Sequence, residues 1–316
     1  MNILGIESTA HTFGVGIVTD KGEVLANAKD GYSSKDIGMI PNEIVEHHKE
    51  AALKVLEEAF AEAKLSWKEI DFIAYSAGPG IDPVLWEGYK IAKQWAKMHG
   101  KKLVGINHCA AHLSIGKIYN KLRDPCYLYV SGVNTQIIVE EKGKYRVMGE
   151  TLDIGLGNML DKFGRIIGLG FPAGAKMEEL AKYGNYVELP YVVKGMDVSF
   201  SGILTRIQQL FAEEKATKED LCFSIQETCF AMLTEVVERA AAHTEKKELL
   251  LVGGVGANKR FCEMLQIMCT ERGAKFYKVP MDLAGDQGAM IAWEGFLRKD
   301  ESGDVKVNPQ WRVDEV

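Results

Sequence analysis

One arrangement of strands and turns occurs twice in this 316-residue sequence and constrains the fold more than any other feature. The first copy joins the apolar stretch Asn2-Ile-Leu-Gly-Ile6, a small polar break and a second apolar stretch to the turn Asp20-Lys-Gly22. The second copy follows Cys126-Tyr-Leu-Tyr-Val130 with the polar break Ser131-Gly-Val-Asn-Thr135 and another apolar stretch. Apolar strands separated by short polar turns are typical of β-hairpins. A repeat at a spacing of roughly 125 residues therefore predicts two related lobes, each beginning with a hairpin that faces a common cleft.

Amphipathic helices and apolar strands alternate between and after the two hairpins. A long helix is predicted from about Asn42 to Leu65, and parallel-type strands are predicted at Phe72-Ile-Ala-Tyr75 and at Glu248-Leu-Leu-Leu-Val252. A second helix is predicted later in the chain, which makes the fold class α/β. The apolar residues at helical spacing are Ile44, Val45, Leu53, Leu56 and Phe60 in the first helix, and Ile225, Cys229, Met232, Leu233, Val236 and Val237 in the second.

Composition limits the classes of protein to which the chain can belong. The sequence has no apolar run of membrane-spanning length, and it begins with a strand-like segment where a signal peptide would have an apolar core. Six cysteines without a Cys-x-x-Cys pair are typical of reduced thiols, so we expect a cytoplasmic protein that does not contact membranes. The net charge of −6, from 38 basic and 44 acidic residues, argues against a broad basic surface that would bind nucleic acid alone.

Two histidines, His108 and His112, stand four residues apart. On a helix, side chains at this spacing share one face and can bind one metal ion. Zinc proteases use the same spacing but need a glutamate directly after the first histidine to activate water, and this chain has Cys109 there. The pair therefore predicts a metal site without hydrolytic machinery. The alternative is that both histidines are polar residues with hydrogen bonds in the core.

Several small polar and glycine-rich loops are suited to holding phosphate groups. Gly253-Gly-Val-Gly256 follows a strand and precedes a helix, and such a turn brings backbone N–H groups and a helix N-terminus close to a ligand. A tight structural turn explains that segment nearly as well. The hairpin breaks Glu7-Ser-Thr9 and Ser131-Gly-Val-Asn-Thr135, with Gly168-Leu-Gly-Phe-Pro-Ala-Gly174 close after Asp161, add to the prediction of nucleotide binding.

The two hairpins and the late strand-to-helix turn resemble the actin, Hsp-seventy and sugar-kinase superfamily. Within it, the chain resembles the family that makes threonylcarbamoyladenosine in tRNA, which is TsaD in bacteria and the catalytic subunit of the KEOPS complex in archaea and eukaryotes. Older descriptions called this family O-sialoglycoprotein endopeptidases. The resemblance covers nearly the whole chain. It rests on His108-Cys-Ala-Ala-His112, Tyr129-Val-Ser-Gly132, Gly149-Glu-Thr-Leu-Asp153, Lys194-Gly-Met-Asp-Val-Ser-Phe-Ser-Gly202 and Gly285-Asp-Gln-Gly-Ala-Met290.

The resemblance implies a fold and an activity. The fold would be a two-lobed α/β structure with a central nucleotide and metal cleft, residues 1–119 and 290–316 forming the first lobe and residues 120–289 the second. The activity would be the transfer of a threonylcarbamoyl group from threonylcarbamoyl-AMP to N6 of the adenosine 3′ of the anticodon, in tRNAs that read codons beginning with A. A metal would polarise the acyl carbon and stabilise the leaving AMP.

The resemblance also implies ligands, cofactors and partners. One iron or zinc ion would bind His108, His112, Tyr129 and Asp286, although Tyr129 also fits a buried strand and Asp286 could simply cap the helix after it. The implied partners are tRNA, a small atypical kinase/ATPase, a small dimerisation subunit and other KEOPS-type subunits. Threonylcarbamoyl-AMP or ATP would contact Tyr129, Val130, Ser131, Gly132, Val133, Asp161, Gly174, Glu178 and Asn258.

The sequence departs from the family pattern at several positions in these loops. The family usually has glycine at the position of Val133, and a branched side chain there narrows the space for phosphate and disfavours positive φ. Trp86 replaces an arginine, Pro172-Ala-Gly-Ala175 replaces Pro-Gly-Gly-Pro, and Gln287 replaces asparagine. Val133 keeps open a scaffold that binds nucleotide without transferase activity. Two further alternatives are an ATP-binding actin-like ATPase or sugar kinase and, less consistent with Cys109, a metalloprotease.

Overall fold

The computed structural model describes residues 1–33, 39–301 and 306–316. These residues form two compact α/β units, one made of Met1–Tyr119 with Gly285–Val316 and the other of Asn120–Ala284. Residues 285–289, which the sequence analysis placed with the second lobe, are thus part of the first unit. Within the described ranges, no helix combines the length and the apolar character that crossing a lipid bilayer requires.

Ten α-helices and twelve strands are assigned in the described part of the chain. In chain order they are β1 (Asn2–Glu7), β2 (Thr12–Thr19), β3 (Val24–Gly31), α1 (Pro41–Ala63), β4 (Phe72–Gly78), α2 (Asp82–His99), β5 (Lys102–Asn107), α3 (His108–Tyr119), β6 (Cys126–Val130), β7 (Thr135–Glu141), β8 (Lys144–Glu150), α4 (Leu156–Ile166), α5 (Gly174–Ala181), β9 (Val193–Lys194), β10 (Asp197–Val198), α6 (Ser201–Ala212), α7 (Lys218–His243), β11 (Glu248–Val252), α8 (Lys259–Glu271), β12 (Lys275–Lys278), α9 (Met281–Ala284) and α10 (Gly288–Leu297).

The first unit is built on a five-stranded sheet in the order β3-β2-β1-β4-β5. The first three strands of the chain pair antiparallel, whereas β1, β4 and β5 run parallel. Apolar side chains of β1 and β2, such as Ile6 and Val15, are fully buried, which explains why the hairpin is apolar along its whole length. The parallel strands β1 and β5 end at Glu7 and Asn107, so residues that follow these strands lie at the same edge of the sheet.

The second unit repeats this plan. Its sheet has the order β12-β11-β6-β7-β8, in which β6, β7 and β8 are antiparallel and β6, β11 and β12 are parallel. The predicted apolar side of the later helix is fully buried on α7. The duplicated hairpin in the sequence therefore corresponds to two sheets with the same strand order.

The prediction for the first long helix was wrong at Leu53, whose side chain is 61% exposed. Leu53 follows Ile44 by nine residues, and at about 100° per residue it lies on the opposite side of α1. The buried side instead contains Ile44, His48, Ala51, Ala52, Val55, Leu56 and Ala59. Small alanines and a histidine therefore supply part of the face that the sequence pattern assigned to large apolar residues.

The N-terminus of α10 lies directly against the backbone of β1 and β2, which only glycine permits. A Cβ atom on Gly5 would lie 2.2 Å from the carbonyl oxygen of Gly288, and one on Gly16 would lie 2.1 Å from the amide nitrogen of Ala289. Real Cβ atoms do not approach backbone this closely. Because Asp286 stands two residues before Gly288, this close packing also sets the position of its carboxylate.

His48 is a fully buried histidine of α1. Its ring lies edge-on to Phe13 with 5.4 Å between centroids, and its Nδ1 lies 3.2 Å from Nδ1 of His47, which itself pairs with Asp30. Burial and the neighbouring charge of His47 lower the pKa of His48 to about 4, against a raising effect of the Ala10 backbone. A buried neutral imidazole makes folding sensitive to acid.

We predict that His48 contributes to acid destabilisation. Its pKa is below the ordinary value of 6.5, so the unfolded chain binds the extra proton and stability falls as pH drops from 6.5 towards 4. The loss at pH 5 relative to pH 7.5 is about 2 kcal/mol. In His48→Asn this part of the loss should vanish, which urea unfolding at both pH values measures. Equal pH-dependent losses in the two proteins would contradict the prediction.

We predict that Gly16→Ala lowers the free energy of unfolding by at least about 2 kcal/mol, because the new Cβ atom overlaps the backbone of α10. Gly31→Ala is the matched control, since a Cβ on Gly31 meets nothing within 4 Å. Chemical denaturation of both variants measures the difference. Equal stability of the two variants would show that α10 moves away from the sheet at little cost.

Candidate functional site

The two histidines of the predicted metal site open a helix that begins directly at the end of a strand. Strand β5 ends at Asn107 and α3 starts with His108. The Asn107 side chain accepts a hydrogen bond from the amide of Ala110 at 3.0 Å and thereby caps the helix. His108 and His112 are both buried, with 4.6 Å between their ring centroids. The predicted pair of histidines on one face of a helix is thus present, and the two rings lie close enough to bind one metal ion.

Asp286 brings a carboxylate to the same histidines from a distant part of the sequence. Its Oδ1 lies 3.2 Å from Nε2 of His112 and 3.6 Å from Nε2 of His108. One donor atom from each of these three residues lies within 4.8 Å of the other two, an arrangement that could hold a metal ion. Two imidazoles and a carboxylate suit iron or zinc.

The residue that caps α10 is Gln287 rather than Asp286. The Gln287 side chain accepts a hydrogen bond from the amide of Met290 at 3.0 Å. The alternative in which Asp286 serves only as a helix cap is therefore wrong. Since its neighbour carries out the capping, the Asp286 carboxylate is available to the histidines.

Burial and neighbouring charges shift the pKa values of His108, His112 and Asp286 in different directions. Burial alone would lower the pKa of His108, but the charge and hydrogen bond of Glu7, with Asp286, raise it to about 9. Burial and the charge of His108 hold the pKa of His112 below its ordinary value, although Asp286 opposes them. Burial would raise the pKa of Asp286, but its hydrogen bond to His112 and the two imidazoles hold that pKa far below its usual range. The Asp286 carboxylate is therefore ionised and ready to bind a cation.

Glu7 contacts a histidine of this site instead of forming the phosphate loop that its neighbours Ser8 and Thr9 predict. Its Oε2 lies 2.9 Å from Nδ1 of His108. The side chain of Glu7 is fully buried. A signal was present in the sequence, because a glutamate at the end of an otherwise apolar strand is costly to bury without a partner.

The fourth predicted ligand, Tyr129, belongs to the second unit and lies on β6, where it is fully buried. Val130 ends that strand, and the following loop is fixed by its own backbone. The Ser131 amide donates to the carbonyl of Asn134 at 2.8 Å, and the amide of Asn158 donates to the carbonyl of Gly132 at 2.8 Å. The first bond closes the loop on itself, and the second attaches it to the start of α4.

Val133 fits this loop without the expected strain. Its side chain is 67% exposed, and its φ is not positive. The branched side chain therefore points into solvent, and the backbone conformation at this position does not require glycine.

The remaining predicted nucleotide residues form two hydrogen-bonded groups in the second unit. Asp161 accepts from the amide of Ala173 at 2.8 Å, directly before α5, whose first residue is Gly174. Glu178, one turn later on α5, accepts from the amide of Lys259 at 2.9 Å, which places it next to Asn258. Asn258 caps α8 by accepting from the Phe261 amide at 3.1 Å.

Comparison with a solved structure identifies the fold. HypF of Thermococcus kodakarensis superposes with a TM-score of 0.63 at 16% identity, covering 95% of this chain and 48% of HypF. HypF shares the actin and sugar-kinase type of α/β fold, so the predicted fold class is confirmed.

Comparison with known sequences identifies the family. A protein of Thermococcus sibiricus named tRNA N6-adenosine threonylcarbamoyltransferase is 50% identical over 323 aligned residues, which cover 100% of this chain and 99% of that protein. A protein of Methanobrevibacter smithii, named a probable bifunctional tRNA threonylcarbamoyladenosine biosynthesis protein, is 47% identical and is covered over 59% of its length. The family model for TsaD, tRNA N6-adenosine threonylcarbamoyltransferase, matches residues 22–293. The chain therefore belongs to the TsaD family of tRNA N6-adenosine threonylcarbamoyltransferases.

Proposed function

We propose that this chain transfers the threonylcarbamoyl group of threonylcarbamoyl-AMP to N6 of the adenosine 3′ of the anticodon in tRNAs that read codons beginning with A. The observation that carries the proposal is the meeting of His108, His112 and Asp286 in a chain that belongs to a threonylcarbamoyltransferase family over its whole length. Neither an actin-like ATPase nor a nucleotide-binding scaffold needs a buried set of two imidazoles and a carboxylate.

His108, His112 and Asp286 would hold one Fe²⁺ or Zn²⁺ ion, with Tyr129 as the proposed fourth ligand. The donor atoms of the first three fit such an ion, because they lie within 4.8 Å of one another and the carboxylate is held ionised. When bound, the ion would supply Lewis-acid polarisation of the donor's acyl carbon and stabilise charge on its leaving group. The two histidines and Asp286 would determine the position of the ion.

The donor's adenylate would bind to the second unit. The loop Ser131–Val133 would contact the phosphate, supported by its position at the end of β6 and its backbone attachment to α4. Glu178 and Asn258 lie side by side, and their polar atoms suit ribose hydroxyls and an adenine edge. Tyr129, Val130, Asp161 and Gly174 would complete that site.

Binding of tRNA would depend on partner proteins in the cytoplasm. The net charge of −6 leaves few phosphate contacts to this chain alone, so basic partner subunits would supply most of them. We propose an atypical kinase/ATPase and a small dimerisation subunit, in a KEOPS-type assembly, as those partners. The bifunctional name of the longer Methanobrevibacter smithii relative supports an association with a second activity.

We predict that the purified wild-type protein contains close to one iron or zinc ion per chain, and that a His108→Ala, His112→Ala double variant loses it. Elemental analysis by mass spectrometry measures the metal. A His47→Ala variant is the matched control, since His47 lies on α1 and pairs with Asp30 instead. Metal retained in the double variant would place the ion elsewhere in the protein.

We predict that the wild-type protein, supplied with threonylcarbamoyl-AMP, a tRNA of the proposed class and partner subunits, forms threonylcarbamoyladenosine detectable by mass spectrometry. Asp286→Asn should lower the rate by at least about 100-fold, because it removes the charge that holds the cation. Asp300→Asn, at a side chain that is 92% exposed, should leave the rate unchanged. Absence of product, while the Thermococcus sibiricus relative forms it under the same conditions, would exclude the proposed activity for this chain.

A further inference from the structure

We propose that Glu7 is a positioning residue for the metal site, which fixes the tautomer and orientation of His108 so that Nε2 carries the lone pair offered to the ion. The proposal rests on the metal site proposed above and adds a residue that lies outside its ligand set. It concerns a buried carboxylate at the end of β1, separated in sequence from His108 by 101 residues.

The hydrogen bond between Glu7 and His108 has a defined direction. Oε2 of Glu7 lies 2.9 Å from Nδ1 of His108, and an ionised carboxylate can only accept, so Nδ1 must carry the hydrogen. In a neutral imidazole the other nitrogen then has the lone pair. That nitrogen, Nε2, is the one that faces Asp286 at 3.6 Å. In the neutral imidazole that binds a metal ion, Glu7 therefore leaves Nε2 of His108 as the nitrogen with the lone pair.

Glu7 is itself held in place by further hydrogen bonds. Its Oε1 accepts from the amide of Thr9 at 2.7 Å and from the Thr9 hydroxyl, so both oxygens have defined partners. The hairpin loop is fixed in turn, because the Ser8 amide donates to the Ser76 hydroxyl at 2.9 Å. A Cβ on Gly88 of α2 would lie 1.6 Å from the Ser8 hydroxyl oxygen, which shows how closely α2 covers this loop. The carboxylate therefore has little freedom to turn away from His108.

Burial and the existing hydrogen bonds of Glu7 exclude a phosphate-binding role for it. A fully buried carboxylate repels an anion, and its two oxygens already accept hydrogen bonds from Thr9 and His108. The contact between Glu7 and His108 is instead favourable for a cation site. A carboxylate that accepts a hydrogen bond from the ring nitrogen that does not bind the metal makes the imidazole more basic and fixes the orientation of its ring. The polar residues that begin at Glu7 in the first hairpin thus position His108 and do not bind phosphate.

The test uses the purified 316-residue protein and Co²⁺ or Zn²⁺ alone as the probe. Affinity is measured by competition with a chelator of known affinity, and the Co²⁺ visible absorption spectrum reports the ligand geometry. Glu7→Gln should lower the affinity by about 10- to 100-fold and shift the Co²⁺ bands, because an amide can also donate to Nδ1 and no longer fixes the tautomer. Glu87→Gln is the matched control, a largely buried glutamate on α2 that pairs with Lys90. It should leave both readouts unchanged.

A purely structural role for Glu7 would lower the thermal stability of the metal-free protein and leave the affinity and the Co²⁺ spectrum of the folded protein as in the wild type. That result would overturn the proposal while the metal site stands. Failure of the wild-type protein to bind either ion would overturn the metal site and this proposal together.

If the Glu7→Gln variant does not fold, a measurement on the wild-type protein still tests the proposal. Long-range ¹H–¹⁵N spectra of the ¹⁵N-histidine protein with bound Zn²⁺ should show His108 protonated at Nδ1 and coordinated through Nε2. Coordination through Nδ1 would overturn the proposal directly.

Discussion

The candidate site depends on a contact between backbones. Gly5 and Gly16 let the start of α10 lie against β1 and β2 with no side chain between them. Asp286 is two residues from that contact, and Glu7 ends the strand that carries Gly5. The packing of α10 against β1 and β2 therefore fixes the positions of both carboxylates. If a side chain held α10 farther from the sheet, Asp286 would move relative to Glu7. Close packing of this kind makes the arrangement of these side chains a property of the packed strands and helix and not of a loop conformation.

The buried ionisable side chains of the first unit contact one another and are best explained together. Glu7 and Asp286 are two buried or half-buried carboxylates that contact two imidazoles, and together they raise the pKa of His108 against the effect of burial. A divalent ion would balance the two negative charges. Burying two carboxylates is expensive, and an arrangement that only stabilised the fold would gain more from apolar residues. The charge balance therefore favours a cation site.

The sequence predicted the features that are local in the chain and missed those that arise from folding. The hairpin repeat and the spacing of His108 and His112 were sufficient for the two sheets and for one face of α3. The contacts of His108 with Glu7 and of His112 with Asp286 span 101 and 174 residues, so no periodic pattern reveals them. The resemblance to a family supplied Asp286, but only the geometry shows that Gln287 is the cap. Leu53 was misassigned because apolar residues can be exposed, and pattern alone does not distinguish the two sides of α1.

Two departures from the family pattern, Trp86 and Val133, have exposed side chains, whereas a third, Gln287, is fully buried and caps α10. Trp86 is 40% exposed and lies edge-on to Tyr89, with 5.7 Å between the ring centroids, so its ring packs on the surface of α2. Val133 is more exposed still, and its backbone conformation suits any residue. Neither substitution reaches the buried groups around His108. A change in an exposed side chain alters the outer edge of a ligand site, whereas a change at Glu7 or Asp286 would leave a buried imidazole without its partner. The substitutions at Trp86 and Val133 therefore leave the buried contacts of His108 unchanged.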